Sequence, residues 1–417
     1  MSGQVKKKIL FVVNIKNYNI FNRKSAIDSI LCSILMELSE NYEVYVNTSP
    51  LTKKVVYNTD SLDTLSESSR IKKMVPEFVK QFLRDLNMLK GNKQLFNEIS
   101  KLPKPDLIIE LMRYGSDLGS ELKKHFNVPL IAYFDSPAVE ENKFLKGKVS
   151  AYYSKIAKSE EKTVIDADKV IVYSEVIKRY WLARSQFIDP KKFEIFQTLD
   201  YTRLSFNHKK IFGDVLTIGF VGSFLKWHKV ENLLHAYTQL RVNGYKVKLL
   251  LVGAGEEFKA IQKEVDESPW KGDITLTGFI DGEKLNEYRN KIDIGVMPGT
   301  HWYCMPTKVF EYGASGIVSI VPGTRSIKRM FTGEEVVFLE DSSPEELFSK
   351  LEIMLNKRHE MNKLAINLRT KVLTTNSIQQ ANTFYNNLIN NLLEKKTISI
   401  SKKYKNESRT KDFSIRD

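Results

Sequence analysis

Apolar residues in this chain follow two alternating rhythms. Ile9-Leu10-Phe11-Val12-Val13 is a short continuous run closed by Asn14 and Lys16, the length of a buried strand. Ile27, Ile30, Leu31, Ile34, Leu35 and Leu38 then recur at helical spacing, and Tyr42–Val46 alternates like a strand. A helical stretch covers Ile71–Leu89, with Pro76 a potential break. Asp106–Leu111, Pro129–Phe134 and Lys169–Tyr173 read as strands covered on both faces, separated by helices near Asp117–Phe126 and Ser150–Ile165. Strand and helix in alternation predict a parallel sheet with helices on its faces.

The rhythm stops over the polar stretch Tyr201–Asp214 and resumes more regularly. Strands are expected at Leu216–Val221, Val247–Val252, Ile274–Phe279, Ile294–Met297, Ile317–Val321 and Val336–Leu339. Helices are expected at Val230–Val242, Glu256–Val265, Glu283–Ile292 and Thr307–Ala314. Pro344–Leu393 reads as helical. After Leu393 the lysine-rich tail has no apolar periodicity and is expected to be disordered. The reading is an α/β chain with a first domain over 1–205, a second over 206–375, a crossing helix over 376–394 and a tail over 395–417.

Composition narrows the class. The 417 residues are 42% hydrophobic and 27% charged, which excludes a wholly disordered chain. Sixty-four basic against 50 acidic residues give a net charge of +14, a surface that attracts phosphates. Cys32 and Cys304 form no disulfide framework and no zinc spacing, so a cytoplasmic setting is expected. The five-residue apolar run behind Lys6-Lys7-Lys8 is too short for a signal core, and no run reaches the ~18 residues of a membrane span.

In parallel sheets ligands sit beyond the carboxyl ends of the strands, so the residues after each strand matter most. After Leu216–Val221 come Gly222-Ser223-Phe224-Leu225-Lys226-Trp227-His228-Lys229 and a helix. A glycine that admits a ligand, basic side chains and a helix N-terminus together can hold a diphosphate. An ordinary strand–helix loop with solvated lysines fits the same residues. Gly253-Ala254-Gly255 also follows a strand, but Phe258 replaces the third glycine of a dinucleotide fingerprint, which favours a tight turn. The richest segment is Pro298–Gly316, where a strand ends, an aromatic loop follows and a helix starts at Pro306-Thr307. Lys308 and Glu311 share a face of that helix. A lysine suits phosphates and a carboxylate suits a pair of hydroxyls, although a plain Lys–Glu pair within the helix is the simpler alternative.

Four pieces in order carry a resemblance: Gly219-Phe220-Val221-Gly222-Ser223-Phe224 with Trp227-His228-Lys229; Leu250–Glu256; Leu276-Thr277-Gly278-Phe279-Ile280; and Met305–Gly316. Over Gly219–Ser377 the chain resembles the donor domain of retaining GT-B glycosyltransferases of the group-1/family-4 class, and its first half resembles them in layout. The resemblance implies a GT-B fold, two Rossmann-like parallel-sheet domains facing a central cleft. It implies transfer of a sugar, of the hexosyl type, from a nucleotide-diphosphate sugar to a hydroxyl, with retention and without a metal or other cofactor. Glu311 would match the second Glu of the Glu-x7-Glu motif and bind ribose; Lys308 would contact the diphosphate, with Gly222, Ser223, His228, Lys229, Pro306 and Thr307 around it. The first Glu falls at Tyr303, so the sugar contacts of the loop with Trp302 and Tyr303 depart from the motif. His228-Lys229 stands where Lys-Gly is usual.

In the first half, Ile131-Ala132-Tyr133-Phe134-Asp135-Ser136-Pro137 ends a strand, and the resemblance implies that Asp135 lies under the transferred sugar as the catalytic candidate. Capping the Ser136-Pro137 turn is its alternative role. Arg113 is a candidate for an anionic acceptor. Expected partners are the donor and a glycan, lipid-linked or polysaccharide acceptor, not nucleic acid. Lys72, Lys73, Lys80, Lys123 and Lys124 offer a peripheral contact with an anionic inner membrane face, or simply reflect a lysine-rich chain. The rival reading is an inactive GT-B-like protein that binds the nucleotide sugar or serves as a scaffold.

Overall fold

The computed structural model describes residues 5–15, 18–22, 26–51, 76–134, 136–146, 152–198, 212–280 and 282–411. They fall into two compact units, Met1–Gln197 with Gln379–Asp417, and Thr198–Ile378.

In the first unit the chain runs β1 (Lys8–Val13), α1 (Ala26–Asn41), β2 (Glu43–Val46), β3 (Ser49–Pro50), α2 (Glu77–Ile99), β4 (Leu107–Leu111), α3 (Leu118–Phe126), β5 (Leu130–Phe134), α4 (Ala138–Lys146), α5 (Tyr153–Asp166), β6 (Lys169–Val172), α6 (Glu175–Arg184) and β7 (Phe193–Ile195). The strand order is β3-β2-β1-β4-β5-β6-β7. All pairs are parallel except β2–β3. The apolar runs explain the centre of this sheet: every residue of β4 and β5 is buried, as strands covered by helices on both sides must be. Residues 71–75 of the expected helix, ahead of Pro76, lie outside the described residues. Pro76 sits just before α2, whose first turn tolerates a missing N–H, and the helix then runs to Ile99.

The second unit runs β8 (Leu216–Val221), α7 (Val230–Val242), β9 (Val247–Val252), α8 (Phe258–Glu267), β10 (Ile274–Leu276), α9 (Gly282–Asn290), β11 (Ile294–Val296), α10 (Thr307–Ala314), β12 (Val318–Pro322), α11 (Arg325–Met330), β13 (Val337–Leu339), α12 (Pro344–Asn356) and α13 (Arg358–Thr375). Its sheet is parallel throughout, in the order β10-β9-β8-β11-β12-β13. Leu249, Leu251, Ile218, Phe220, Ile294, Val296 and Ile320 form one core with α7 and α12.

The last helix, α14 (Ile378–Lys411), belongs to the first unit from Gln379 onward. Phe384 stacks on Phe196 at 4.1 Å, and Tyr42 Oη donates to Asn390 Oδ1 at 3.1 Å. The units divide at Gln197/Thr198, where 205/206 was expected, and Thr198 Oγ1 donates to Asn376 O at 3.1 Å within the second unit. Residues 199–211 of the expected linker lie outside the described residues. The helix extends to Lys411, across a stretch with neither glycine nor proline to stop it, and residues 412–417 of the tail lie outside the described residues. No described helix is long and apolar enough to cross a membrane.

Candidate functional site

A doubly wound sheet opens a crevice where its strand order reverses. In the second unit that point lies between β8 and β11, which are neighbours. The loop after β8 carries Gly222–Lys229, and the loop after β11 leads into α10. The two most informative segments of the sequence therefore meet at one switch point.

Helix α10 is fixed from below. Val309, Phe310, Tyr312 and Ala314 are buried, and the Tyr312 phenol oxygen accepts the Val221 N–H at 3.0 Å. The helix is thereby tied to the end of β8. Lys308 and Glu311, on the other side, are half-buried. They do not pair with each other, which sets aside the simple intrahelical ion pair. Lys308 Nζ lies 3.1 Å from His228 Nε2 and 5.4 Å from the centre of the Phe220 ring. Glu311 Oε2 accepts Arg289 Nη2 at 3.1 Å.

Gly222 makes the Lys308 position available. Its φ is 150°, and a Cβ there would stand 2.3 Å from Lys308 Cε. The lysine stem crosses the bare backbone where β8 ends. Burial pushes the ammonium down to about 8, with Cys304 and Glu311 pulling it back up.

His228 is 8% exposed. Its Nδ1 lies 2.5 Å from the Ser223 carbonyl oxygen, which can only accept, so Nδ1 carries the proton. Nε2 then offers its lone pair to the Lys308 ammonium. Burial, and next the Lys308 charge, push the imidazole down to about 3, so it is neutral across the physiological range. Ser223 itself is exposed. Lys229 adopts φ 50° between the short Lys226–His228 turn and α7, the left-handed geometry that a glycine would take more easily. Its stem runs beside Gly299, where a Cβ would meet Lys229 Cγ at 3.0 Å. It is not seen at Lys308.

Gly253 and Gly255 pack against the neighbouring Gly222–Phe224 loop. A Cβ on Gly253, at φ 139°, would stand 1.9 Å from Gly222 O. Phe224 N donates to Ala254 O at 2.9 Å, and Glu257 N to Phe224 O at 3.0 Å. The two loops are zipped backbone to backbone, the tight turn expected from the sequence.

The loop before α10 is aromatic and closed on itself. Tyr303 is 2% exposed and stacks on His301, with ring centres 4.9 Å apart and planes 5° apart; His301 meets Trp227 at 5.3 Å. Tyr303 thus fills space at the place of the first Glu of the motif. Trp302 is 41% exposed, and its carbonyl accepts Ser326 Oγ at 3.1 Å. Pro306 precedes α10 without a side-chain cap, and Thr307 opens the helix.

In the first unit Arg113 follows β4, next to β1, at that sheet's own switch point. It lies 3.9 Å from Asp28, whose Oδ1 accepts the Tyr18 hydroxyl at 2.6 Å. The candidate acceptor arginine thus lies beside a carboxylate of α1. Asp135 lies outside the described residues. Beyond it, Ser136 Oγ donates to Glu141 Oε2 at 2.8 Å. Of the lysines weighed for a membrane face, Lys72 and Lys73 lie outside the described residues, Lys123 is 2.7 Å from Asp168, and Lys124 is 3.7 Å from Asp166.

Three charged residues escaped the sequence reading. Arg289 left only the trace of a basic residue in the last turn of α9, unremarkable at a helix end. Glu110, in β4, and Glu160, in α5, are fully buried. Burial pushes Glu110 up to about 7 against the Ser116 hydrogen bond, and Glu160 up to about 8 against Arg184. Glu160 accepts the Val139 N–H at 3.4 Å at the start of α4.

Comparison with known proteins fits this geometry. Residues 215–357 match the family model for glycosyl transferases group 1. An uncharacterized glycosyltransferase of Methanocaldococcus jannaschii is 28% identical over 211 residues, 48% of this chain and 52% of the relative, so the chain spans about half the length of that relative. HepE of Anabaena, solved with UDP and with UDP-glucose, superposes with a TM-score of 0.65 in its UDP complex, at 11% identity over 92% of this chain and 100% of HepE. Sucrose-phosphate synthase from Thermosynechococcus elongatus gives 0.68 at 17% identity over 93% and 100%. The fold is that of the GT-B glycosyltransferases, and its second unit is where the group 1 match lies.

Proposed function

We propose that this protein transfers a sugar from a nucleoside diphosphate sugar to an acceptor hydroxyl, with retention at the anomeric carbon and without a metal. One observation carries the reading: β8 and α10 bring Gly222, His228 and Lys308 together at the switch point, with Glu311 one turn along the same helix. The Lys308 ammonium and the α10 N-terminus supply positive charge to the diphosphate as it leaves. Glu311 accepts the ribose hydroxyls. Asp135 stabilises the positive charge that develops at the anomeric carbon. The acceptor, a glycan or lipid-linked saccharide, is bound by the first unit. UDP in HepE makes a uridine donor the first to try.

A second reading, binding without transfer, is favoured by Tyr303. A buried, stacked phenol replaces the carboxylate expected to hold the donor sugar. Incubation with UDP-, GDP-, ADP- and dTDP-sugars and simple saccharide acceptors separates the two. The proposal expects nucleoside diphosphate release and, by NMR, a product that keeps the donor's anomeric configuration. Inversion overturns retention. Tight nucleotide binding with no release by any donor, even by hydrolysis, supports the second reading.

A further inference from the structure

Arg289 is the most deeply set cation at this site, at 3% exposed. A guanidinium so placed is costly unless its donors are met. Nη1 donates to Asn286 Oδ1 at 2.7 Å and Nη2 to Glu311 Oε2 at 3.1 Å, while the buried Nε–H has no partner. The Glu311 side chain keeps 26% of its surface exposed. The pair is thus asymmetric, with the cation inside and the carboxylate at the rim. Such a pair adds little net stability, because desolvating the cation offsets the attraction. What it does add is orientation. Glu311 has three rotatable bonds, and the guanidinium pins one of its oxygens. Asn286, one turn back on α9, holds the fork itself.

We propose that Arg289 is a positioning residue: it aims the Glu311 carboxylate at the vicinal hydroxyls of the donor's ribose and so sets the preference for a ribonucleotide. This rests on the reading of Glu311 given above. It assigns a role in donor selection to a residue of α9, outside the loop–helix segment that carries Lys308 and Glu311.

The test compares UDP, GDP and ADP with their 2′,3′-dideoxy counterparts by calorimetry, each variant's melting temperature being measured alongside. The wild type favours the ribo form. Arg289→Met lowers that preference about tenfold, the scale of one charge-assisted hydrogen bond, and leaves dideoxy affinity within about twofold. Arg289→Lys restores part of it. The double variant Arg289→Met/Glu311→Gln loses no more than Glu311→Gln alone, as expected for residues acting as one unit. If Arg289→Met does not fold, Arg289→Lys carries the test, with a reduced preference at a near-native melting temperature. Wild-type preference in folded Arg289 variants, with preference lost in Glu311→Gln, overturns the positioning role and leaves the Glu311 reading standing. An unchanged ratio in Glu311→Gln defeats the ribose reading, and the inference falls with it.

Discussion

Two side chains at the switch point divide the chemistry by charge. His228 is neutral and proton-ordered by the Ser223 carbonyl, and Lys308 is a cation held where charge is disfavoured. Lys308 loses its proton near 8 in the empty protein, whereas a bound diphosphate favours the ammonium. Donor affinity therefore falls as pH rises through 8, being about tenfold weaker at pH 9 than at pH 7. Calorimetry of a UDP-sugar across that range checks this, and Lys308→Met abolishes the slope; a slope that survives the substitution assigns the proton elsewhere. The placement of Lys308 and Glu311 on one helix beyond a strand end was legible in the sequence because strand, loop and helix N-terminus are local features. Arg289 was not, since its partner Glu311 lies 22 residues away and the contact exists only once α9 packs beside α10.

At the scale of elements, the mainly apolar strands β1, β4, β5, β8 and β9 were legible, since a strand covered on both faces is apolar at most of its positions. The short pieces β3, β7, α4 and α6 left too few apolar positions to show a period. Likewise Gly253-Ala254-Gly255 showed that a turn was needed, but not that it packs against the backbone of the Gly222 loop. That packing makes a sharp prediction. Gly253→Ala drives a methyl into Gly222 O and should destabilise the second unit by about 2 kcal/mol or more, while Gly272→Ala, with open space around it, stays within about 1 kcal/mol. Denaturant unfolding of the two variants decides it; equal midpoints would show that the loops are not zipped together.

Across the whole molecule, the two units carry buried groups of opposite pH preference. In the first, Glu110 and Glu160 are raised above their unfolded values, so their contribution is fully present below about 4.3 and is lost as pH rises towards 7 and 8. In the second, His228 is depressed, so its contribution is present above about 6.5 and is lost as pH falls towards 3. Between pH 5 and 7 the first unit should therefore weaken while the second holds or gains. Hydrogen exchange, corrected for its intrinsic pH dependence, reads each unit separately. Glu160→Gln should remove part of the first unit's loss, by about 1–3 kcal/mol at pH 8. Both units moving together would refute this assignment. The central claim is that the switch point of the second unit grips the diphosphate and ribose of an activated sugar. Calorimetry with UDP-, GDP-, ADP- and dTDP-sugars tests it most directly. The account predicts binding of at least one donor class, weakened about tenfold or more by either Lys308→Met or Glu311→Gln in folded protein. No heat with any donor, or wild-type affinity in the Lys308→Met/Glu311→Gln double variant, would contradict it.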